Sequence, residues 1–582
     1  MKKYKIIIML LFFLSGFNAC EDKLLDIKSL TEPVNTTFYS NEQELNLALT
    51  GVYNTLIYKG GYQLPLQVLM DNGATDLGIN RGANVAGMSE LGQGIQGTTT
   101  AGFQQAYSYF YTGIARANSL LENMERAKDL VPEDRFKAIQ AQAMVLRAYN
   151  YMYLTEFFGD VPFVDALIKN PSEALLPRVS KTEIVDRIMA DLQTASASLP
   201  NTWPTSDYGK ITKGVALGLR ARIALYNKRY DEAATSAKAV MDNESAMKYA
   251  LHPDYGELFG WAGQSSSEIM LVMPLKEGFD IAQFPVAQGS RNLGSYSTVV
   301  PCQSLIDSYE ATDGKPIDES SIYDPKKPFE NRDPRLKKSI ITPQSVWGGI
   351  IFESHPDSLK SRKADGTIRG NNNDSRKVIW PAAFFGYLWK KYTDEPAQVK
   401  GQMWSESDFI LMRYAEILLI YAEAKIELGQ IDASVLTAIN RIRARAYGVD
   451  VSNTGSYPAI TTTNQAELRK VIRRERKVEL ANEGFRLFDI RRWRIAEKVM
   501  PVKLYGRVLN FATATGIPNI DDDCFVSYAG IESQYDFNPD ARFPNAQNRK
   551  FNPARDYLCP IPQQEIDTYE GLGGTLGQND GY

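Results

Sequence analysis

Acidic and basic side chains alternate through the second half of the chain: Arg413, Glu416 and Glu423, then Glu475, Arg476, Glu479, Glu483, Arg486, Asp489, Arg491 and Arg492. Two carboxyl groups facing a groove at about 5 to 9.5 Å would be the machinery of glycoside hydrolysis. Here the carboxylates are interleaved with apolar residues and alternate in sign with guanidiniums, which is the pattern of ion pairs locking helix to helix. Arg332, Asp333 and Arg335 flank Pro334 and read as a fixed turn between lobes. The two histidines, His252 and His355, lie in no HExxH or other ligand spacing, so metal hydrolysis has no candidate centre. Asp521, Asp522 and Asp523 form an oxygen-rich run of the kind calcium seeks, but their spacing is not that of an EF-hand, and consecutive carboxylates face water. No cofactor is expected, and calcium at this acidic run is the one alternative kept open. Cys302, Cys524 and Cys559 form no CxxC, which excludes a disulfide scaffold or a zinc site. These residues give no catalytic constellation, and the expectation is a protein that binds without catalysing.

The fourth cysteine carries a different chemistry. Lys2, Lys3 and Lys5 precede an apolar run over 6–14, and Ala19 stands directly before Cys20. This reads as a secretory signal over 1–19, too short for a lasting membrane span, followed by lipoprotein processing. The Cys20 thiol would be acylated and become the mature N-terminus, and more than one acyl chain makes anchoring stable. Glu21, Asp22 and Lys23 follow, similar to an acidic tag for export to the outer cell surface.

The elements that must position these residues are mostly helical. Residues 136–162 organise the chain: Phe136, Ile139, Ala143, Leu146, Asn150, Tyr153 and Phe157 recur at helical spacing, Gly159 stops the helix, and Tyr149 and Tyr151 mark further buried faces. Helices are also predicted over 41–58, 103–124 and 182–199. A pair over 212–226 and 230–240 has the small-and-large pattern of tetratricopeptide hairpins. From about 250 to 400 the periodicity gives way to Gly, Pro, Ser and Asn, with an apolar burst at 268–273 that reads as a short strand. Helices return over 408–428, 434–445, 465–481 and 485–499, before a loop-rich tail over 501–582. Residues 77–102 form another long irregular segment, the kind that is functional or disordered. The chain has 582 residues, 44% hydrophobic, 23% charged and 11% aromatic, and a net charge of −4 with no basic block. Nucleic acid is therefore not the partner, and the length exceeds one simple core, so two lobes are predicted.

Several segments together resemble the SusD/RagB family of surface nutrient-binding lipoproteins. Near the start, Cys20, Glu21, Asp22, Lys23, Leu24, Leu25 and Asp26 are similar to its post-cysteine pattern. Leu146, Arg147, Ala148 and Tyr149, with Phe158, Gly159, Asp160, Val161 and Pro162, match its central helix and exit. Asn331, Arg332, Asp333, Pro334, Arg335 and Leu336 match its nRDPRL signature. The run from Arg413 through Ala424 matches its most recognisable helix, and Glu483, Gly484, Phe485 and Arg486 with Phe488, Asp489, Ile490, Arg491, Arg492 and Trp493 match its second helical block. Pro560, Ile561 and Pro562 and the ending Gln578, Asn579, Asp580, Gly581 and Tyr582 are similar to its C-terminus. The matches stand in family order over nearly all of the mature chain.

The resemblance implies a mostly α fold, with tetratricopeptide-like helix pairs as scaffold and a loop-rich ligand face carrying few short strands. It implies one integrated unit: signal 1–19, anchor and tether 20–40, helical region 41–250, ligand-face region 251–403, and helical region with tail 404–582. It also implies a role in the outer membrane, delivering oligosaccharides to a TonB-dependent SusC-like transporter, or peptides in the RagB branch. A sugar ring offers an apolar face to an exposed aromatic ring and hydroxyls to Asp, Asn, Gln or Arg. The candidate ligand contacts are Asp76, Asn80 and Arg81 in the first loop, Phe284, Arg291, Asn292 and Tyr296 in the second, and Trp347 and Phe352 beyond. Residues 77–102 lack Trp and Tyr, which keeps peptides in play. A surface glycoside hydrolase and a helical-repeat adaptor that binds only proteins are the competing readings.

Overall fold

Glu133 and Asp134 complement the positive end of a helix that runs over Glu133–Phe158. It ends at Gly159, whose φ of 72° and ψ of −122° suit only glycine, and where an added Cβ would lie 2.8 Å from Leu558 Cδ1. Its side chains are buried nearly all round, Ala141, Leu146, Tyr151 and Phe157 among them, so it is enclosed by its neighbours rather than laid on a surface. The computed structural model describes residues 38–81, 87–379, 385–536 and 548–582. Cys20 and nearly all of the predicted tether lie outside the described residues.

Successive helices pack as neighbours. α1 (Glu42–Tyr53) rests on α3 (Ala101–Asn123) and on α4 (Glu133–Phe158), with α2 (Leu66–Gly73) and β1 (Gly78–Asn80) between α1 and α3 in sequence. α4 packs on α5 (Lys181–Ser198), α5 on α6 (Lys213–Tyr226), and α6 on α7 (Tyr230–Met241). This is the serial pairing of tetratricopeptide-like hairpins. Local chemistry starts these helices where the periodicity predicts: Ser180 Oγ accepts the Glu183 N–H at 3.2 Å to cap α5, and Thr212 Oγ1 caps α6.

The middle of the chain contributes short antiparallel ladders. β2 (Ile269–Met273) pairs with a strand from far downstream, β3 (Val299–Pro301) pairs with β1 placing Asn80 opposite Val299, and β4 (Val346–Trp347), β5 (Ile350–Ile351), β6 (Lys360–Lys363) and β7 (Ile368–Asn371) form one sheet. The predicted helix over 408–428 is corrected here. β8 (Phe409–Arg413) is the strand that pairs with β2, and α8 (Tyr414–Glu427) begins only after Arg413, which is extended at φ −142° and ψ 158°. An unbroken apolar run has no period, and pairing with β2 decides it.

α8 packs on α7, α9 (Ala433–Tyr447) and α10 (Gln465–Glu479), which joins the two ends of the chain. The predicted helix over 485–499 is also corrected: α11 (Arg486–Arg492) stops early, and a second turn over Ala496–Val499 follows Arg494, whose φ is 59°. One continuous apolar core draws side chains from Leu45 to Leu576. At its centre Phe110 of α3 stacks on Tyr153 of α4 at 5.2 Å, and Phe488 of α11 meets Phe157 edge-on at 5.5 Å. Cys302, Cys524 and Cys559 are buried free thiols.

Candidate ligand face

Six of the nine loop residues chosen from sequence are buried and serve the fold instead. Asp76 accepts Arg486 Nε at 2.8 Å and Arg486 Nη2 at 3.0 Å, and pairs with Lys477 at 2.9 Å. Against the upward push of burial, these two cations hold its carboxyl well below the usual range. Asn80 is buried in the β1–β3 ladder. Phe284 stacks on Tyr392 at 5.5 Å and on Phe409 at 6.1 Å, inside the core. Asn292 donates its amide to Asn372 Oδ1 and Asp374 Oδ2, both at 2.8 Å, and so ties two loops together. Trp347 is 3% exposed and donates Nε1–H to Gln398, while Phe352 is fully buried beside it. These aromatics bury their rings against a satellite core because a loop-rich region still needs one.

Tyr296, Arg81 and Arg291 are brought together at the surface. Tyr296 is 43% exposed. Arg81 Nη2 and Arg291 Nη2 each donate to the Tyr296 carbonyl oxygen at 2.6 Å. Opposite stands Tyr62, its ring centroid 6.3 Å from that of Tyr296 and tilted by 58°. Tyr62 and Gln63 have φ of 59° and 52°, and Ser297, next to Tyr296, has φ of 44°. Non-glycine residues adopt this left-handed region at a cost, and such strain is retained where the surrounding structure demands a particular presentation. Tyr296 is therefore held out on a strained turn, with the half-buried ring of Tyr62 beside it and packed against the core.

The face continues along the hairpin that holds Tyr62. The Gln283 N–H bonds the Tyr62 carbonyl at 3.1 Å, and Lys59 forms an ion pair with Asp280. Phe279, at the tip of that neighbouring turn, is 88% exposed. Next to it lies a groove of about 550 Å³ lined by Tyr58, Lys59, Gln63, Gln105, Ser108, Tyr109, Thr112 and Asp280. It combines a partly exposed tyrosine ring with amides and hydroxyls, the two surfaces a sugar presents partners for. A larger groove, of about 640 Å³ between α1 and β2, is walled by Leu49, Leu56, Ile57, Val272 and Pro274, with Asn46, Thr50, Asn54, Tyr208 and Lys210 among its polar lining. Tyr62, Gln63, Tyr109 and Phe279 were not singled out from sequence. The one signal was Gly60 and Gly61 beside Tyr62, which mark a turn but not what it displays.

The helical charges behind this face are committed to one another. Arg413 donates to Glu268 at 2.8 Å, to Glu479 at 2.7 Å and to both oxygens of Glu483 at 2.7 and 2.8 Å. Arg445 bridges Glu268 and Glu479, Arg335 joins Asp333, Glu475 and Glu479, and Arg492 joins Glu423 and Asp489. Burial would raise the Glu479 carboxyl, yet Arg445, Arg413 and Arg335 hold it well below its usual range. These carboxylates are buried and bonded to guanidiniums, so they do not face a groove as a hydrolytic acid and base would. Asp521 and Asp523 pair with Lys498, Asp523 also with Arg473, and Asp522 with Lys470.

The fold is a helical scaffold that carries a loop-built face. Residues 275–582 match the SusD family, and residues 23–225 match a family described as starch-binding associating with the outer membrane. The chain belongs to the SusD family. It is similar to SusD-like protein P2 of Formosa agariphila, 26% identical over 599 residues that cover 100% of both chains. A solved SusD-like carbohydrate binding protein from Bacteroides fragilis is 26% identical, with a TM-score of 0.76 over 91% of this chain and 99% of that one. Surface glycan-binding protein A from Bacteroides fluxus shares the fold at 21% identity, with a TM-score of 0.64 over 93% of this chain and 100% of its own.

Proposed function

We propose that the protein captures oligosaccharides at the outer cell surface on the Tyr62–Tyr296 face, without catalysis, and passes them to a TonB-dependent SusC-like transporter. The observation that carries this is the exposed Tyr296 on its strained turn, with Tyr62 and a groove of amides and hydroxyls beside it. The family description, starch-binding associating with the outer membrane, supports glycan as ligand and the outer membrane as the place. So does the carbohydrate-binding relative from Bacteroides fragilis. Among the described residues no helix is long and apolar enough to cross a membrane. Attachment is assigned to acylated Cys20, on the strength of the lysine-rich start, the short apolar run and Ala19 before it.

Calorimetric titration with a panel of oligosaccharides and mixed peptides tests this reading. Heat from a glycan class that falls at least tenfold in affinity in Tyr296→Ala and in Tyr62→Ala is the expected result. Burying a large ring against a sugar face is worth about 1.5 kcal/mol or more, and a tenfold change in affinity is about 1.4 kcal/mol. Heat from peptides alone would move the protein to peptide capture. Hydrolysis products in the titrated sample would show an enzyme instead.

A further inference from the structure

Glu42, Asn46, Leu49 and Tyr53 of α1 stand at steps of four, three and four, with Thr50 beside Leu49, and so share one face of the helix. Three grooves follow that face. The first, of about 380 Å³, lies at Glu42 and Asn46, against Arg135 and Gln142 of α4 and the ring of Trp203. Asn46 and Lys210 also belong to the second, the groove of about 640 Å³ that runs on over Leu49, Thr50 and Tyr53 to Ile57. Ile57 belongs in turn to the third, the groove of about 550 Å³ that Gln63, next to Tyr62, helps to line. Shared walls make these one track. It runs along the 12 residues of α1, about 18 Å at the helical rise, and then onto the Tyr62–Tyr296 face.

Each groove of the track holds an aromatic ring whose polar tip is tied to the backbone. Trp203 donates Nε1–H to the Ile211 carbonyl at 2.8 Å, Tyr208 its hydroxyl to the Gln264 carbonyl at 2.9 Å, and Tyr109 its hydroxyl to the Asn54 carbonyl at 3.0 Å. Such bonds fix a ring in advance, so a ligand that covers it does not have to order it. Tyr208 is 54% exposed, and Trp203 and Tyr109 are half-buried. Exposed amides and hydroxyls stand among the rings: Thr50, Asn54, Gln63, Gln105 and Ser108. Among the described residues, the charged side chains that line the track stand in pairs: Arg135 with Glu42 at 3.0 Å, Lys210 with Asp207 at 2.8 Å, and Lys59 with Asp280. Lys210 also lies 5.4 Å from the centroid of the Trp203 ring. The track is thus balanced in charge, and what it offers a ligand is apolar surface and uncharged hydrogen-bonding groups.

We infer that this track extends the ligand site, and that the captured glycan is a long, uncharged chain lying along α1. This rests on the glycan reading above. A sugar chain has apolar ring faces and hydroxyls along its edges. The faces suit Tyr109, Tyr208, Trp203 and the apolar wall at Leu49 and Ile57, while the hydroxyls meet the amides at the rims. A charged unit would have to break one of the ion pairs or lie unpaired against apolar surface, and either is costly. A ring tied by its tip recurs in each groove, which suits a ligand of repeating rings better than a peptide.

The test is calorimetric titration of the purified protein with trisaccharides and hexasaccharides of the neutral malto-, laminari-, cello-, xylo- and manno-series, with galacturonate hexasaccharide, and with an uncharged peptide. In one neutral series the hexasaccharide is expected to bind at least tenfold tighter than the trisaccharide. Tyr208→Ala, at an exposed position where folding is not at stake, should remove most of that gain and leave trisaccharide affinity unchanged. Tyr208→Phe keeps the ring and should keep the gain. Equal affinity at both lengths, or a gain indifferent to Tyr208→Ala, would overturn the track and leave glycan capture on the Tyr62–Tyr296 face standing. Galacturonate binding tenfold tighter than every neutral hexasaccharide would overturn the uncharged ligand. Heat from the peptide alone would overturn the track and the glycan reading together, as would no heat from any glycan.

Discussion

Arg413 shows how much one side chain holds here. It is fully buried and meets Glu268, Glu479 and Glu483, and its Nη2 also donates to the Glu479 carbonyl at 2.9 Å. Desolvating that many charges is costly, so the net worth of the cluster against an apolar core is small, but breaking it is not. Arg413→Ala would leave three carboxylates sharing Arg335, Arg445 and Lys391, and is expected to cost about 3 to 5 kcal/mol, read as a lowered midpoint in urea. An unchanged midpoint would mean that the cluster relaxes to admit water. Trp347→Ala belongs to the same scale. Chosen from sequence as a ligand contact, Trp347 is a core residue, and its removal should cost about 3 to 5 kcal/mol by opening a cavity beside Ile341, Phe352 and Phe385. Sequence could not separate these roles. Trp347 is bonded to Gln398, 51 residues on, and Asp76 to Arg486, 410 residues on, so what buries each is set by packing that no local pattern encodes.

At the scale of elements the sequence was far more legible, for a physical reason. The helices over 103–124, from 136 to the stop at Gly159, and over 182–199 were visible because each buries a stripe that repeats with the helix, and observed limits of Ala101–Asn123, Glu133–Phe158 and Lys181–Ser198 agree closely. Where an apolar run had no period, as over Phe409–Arg413, a partner strand decided, and the reading failed. Close helix contact makes a sharper prediction. Gly113 of α3 lies against Asn150 of α4, where an added Cβ would sit 2.5 Å from the amide nitrogen that bonds the Leu146 carbonyl. Gly113→Ala is expected to destabilise by about 1 to 3 kcal/mol through overpacking despite the better helix propensity of alanine. Gly51 of α1 has nothing within 4 Å of an added Cβ, so Gly51→Ala should instead stabilise by about 0.5 to 1 kcal/mol. Paired thermal melts of the two variants check both signs at once. Equal shifts would mean that α3 and α4 do not approach as closely as this.

Over the whole molecule, two sets of buried carboxyls have opposite consequences for pH. Burial raises Asp71 to about 7 and Asp307 to about 6, despite the Gly484 N–H on one and Gln303 and Tyr528 on the other. As pH falls past these values the folded protein takes up protons that the unfolded chain does not yet bind, so stability rises on mild acidification. Asp76, Glu310, Glu479, Glu483 and Asp489 are lowered, because their arginine and lysine partners outweigh burial. Their contribution is complete above the ordinary carboxyl values of 3.8 and 4.5, and is lost as pH falls below those values toward the depressed folded ones. The two limbs cross on the acid side of neutrality, so the melting temperature should climb from pH 8 to about 5 and fall steeply below about 4. Asp71→Asn isolates one limb. It keeps an acceptor for the Gly484 N–H while removing a buried charge whose Oδ1 has no partner, so it should raise the melting temperature at pH 8 and flatten the climb toward pH 5. A lower melting temperature at pH 8 in that variant would show that the Asp71 carboxylate is held charged by its surroundings, and would leave the climb to Asp307.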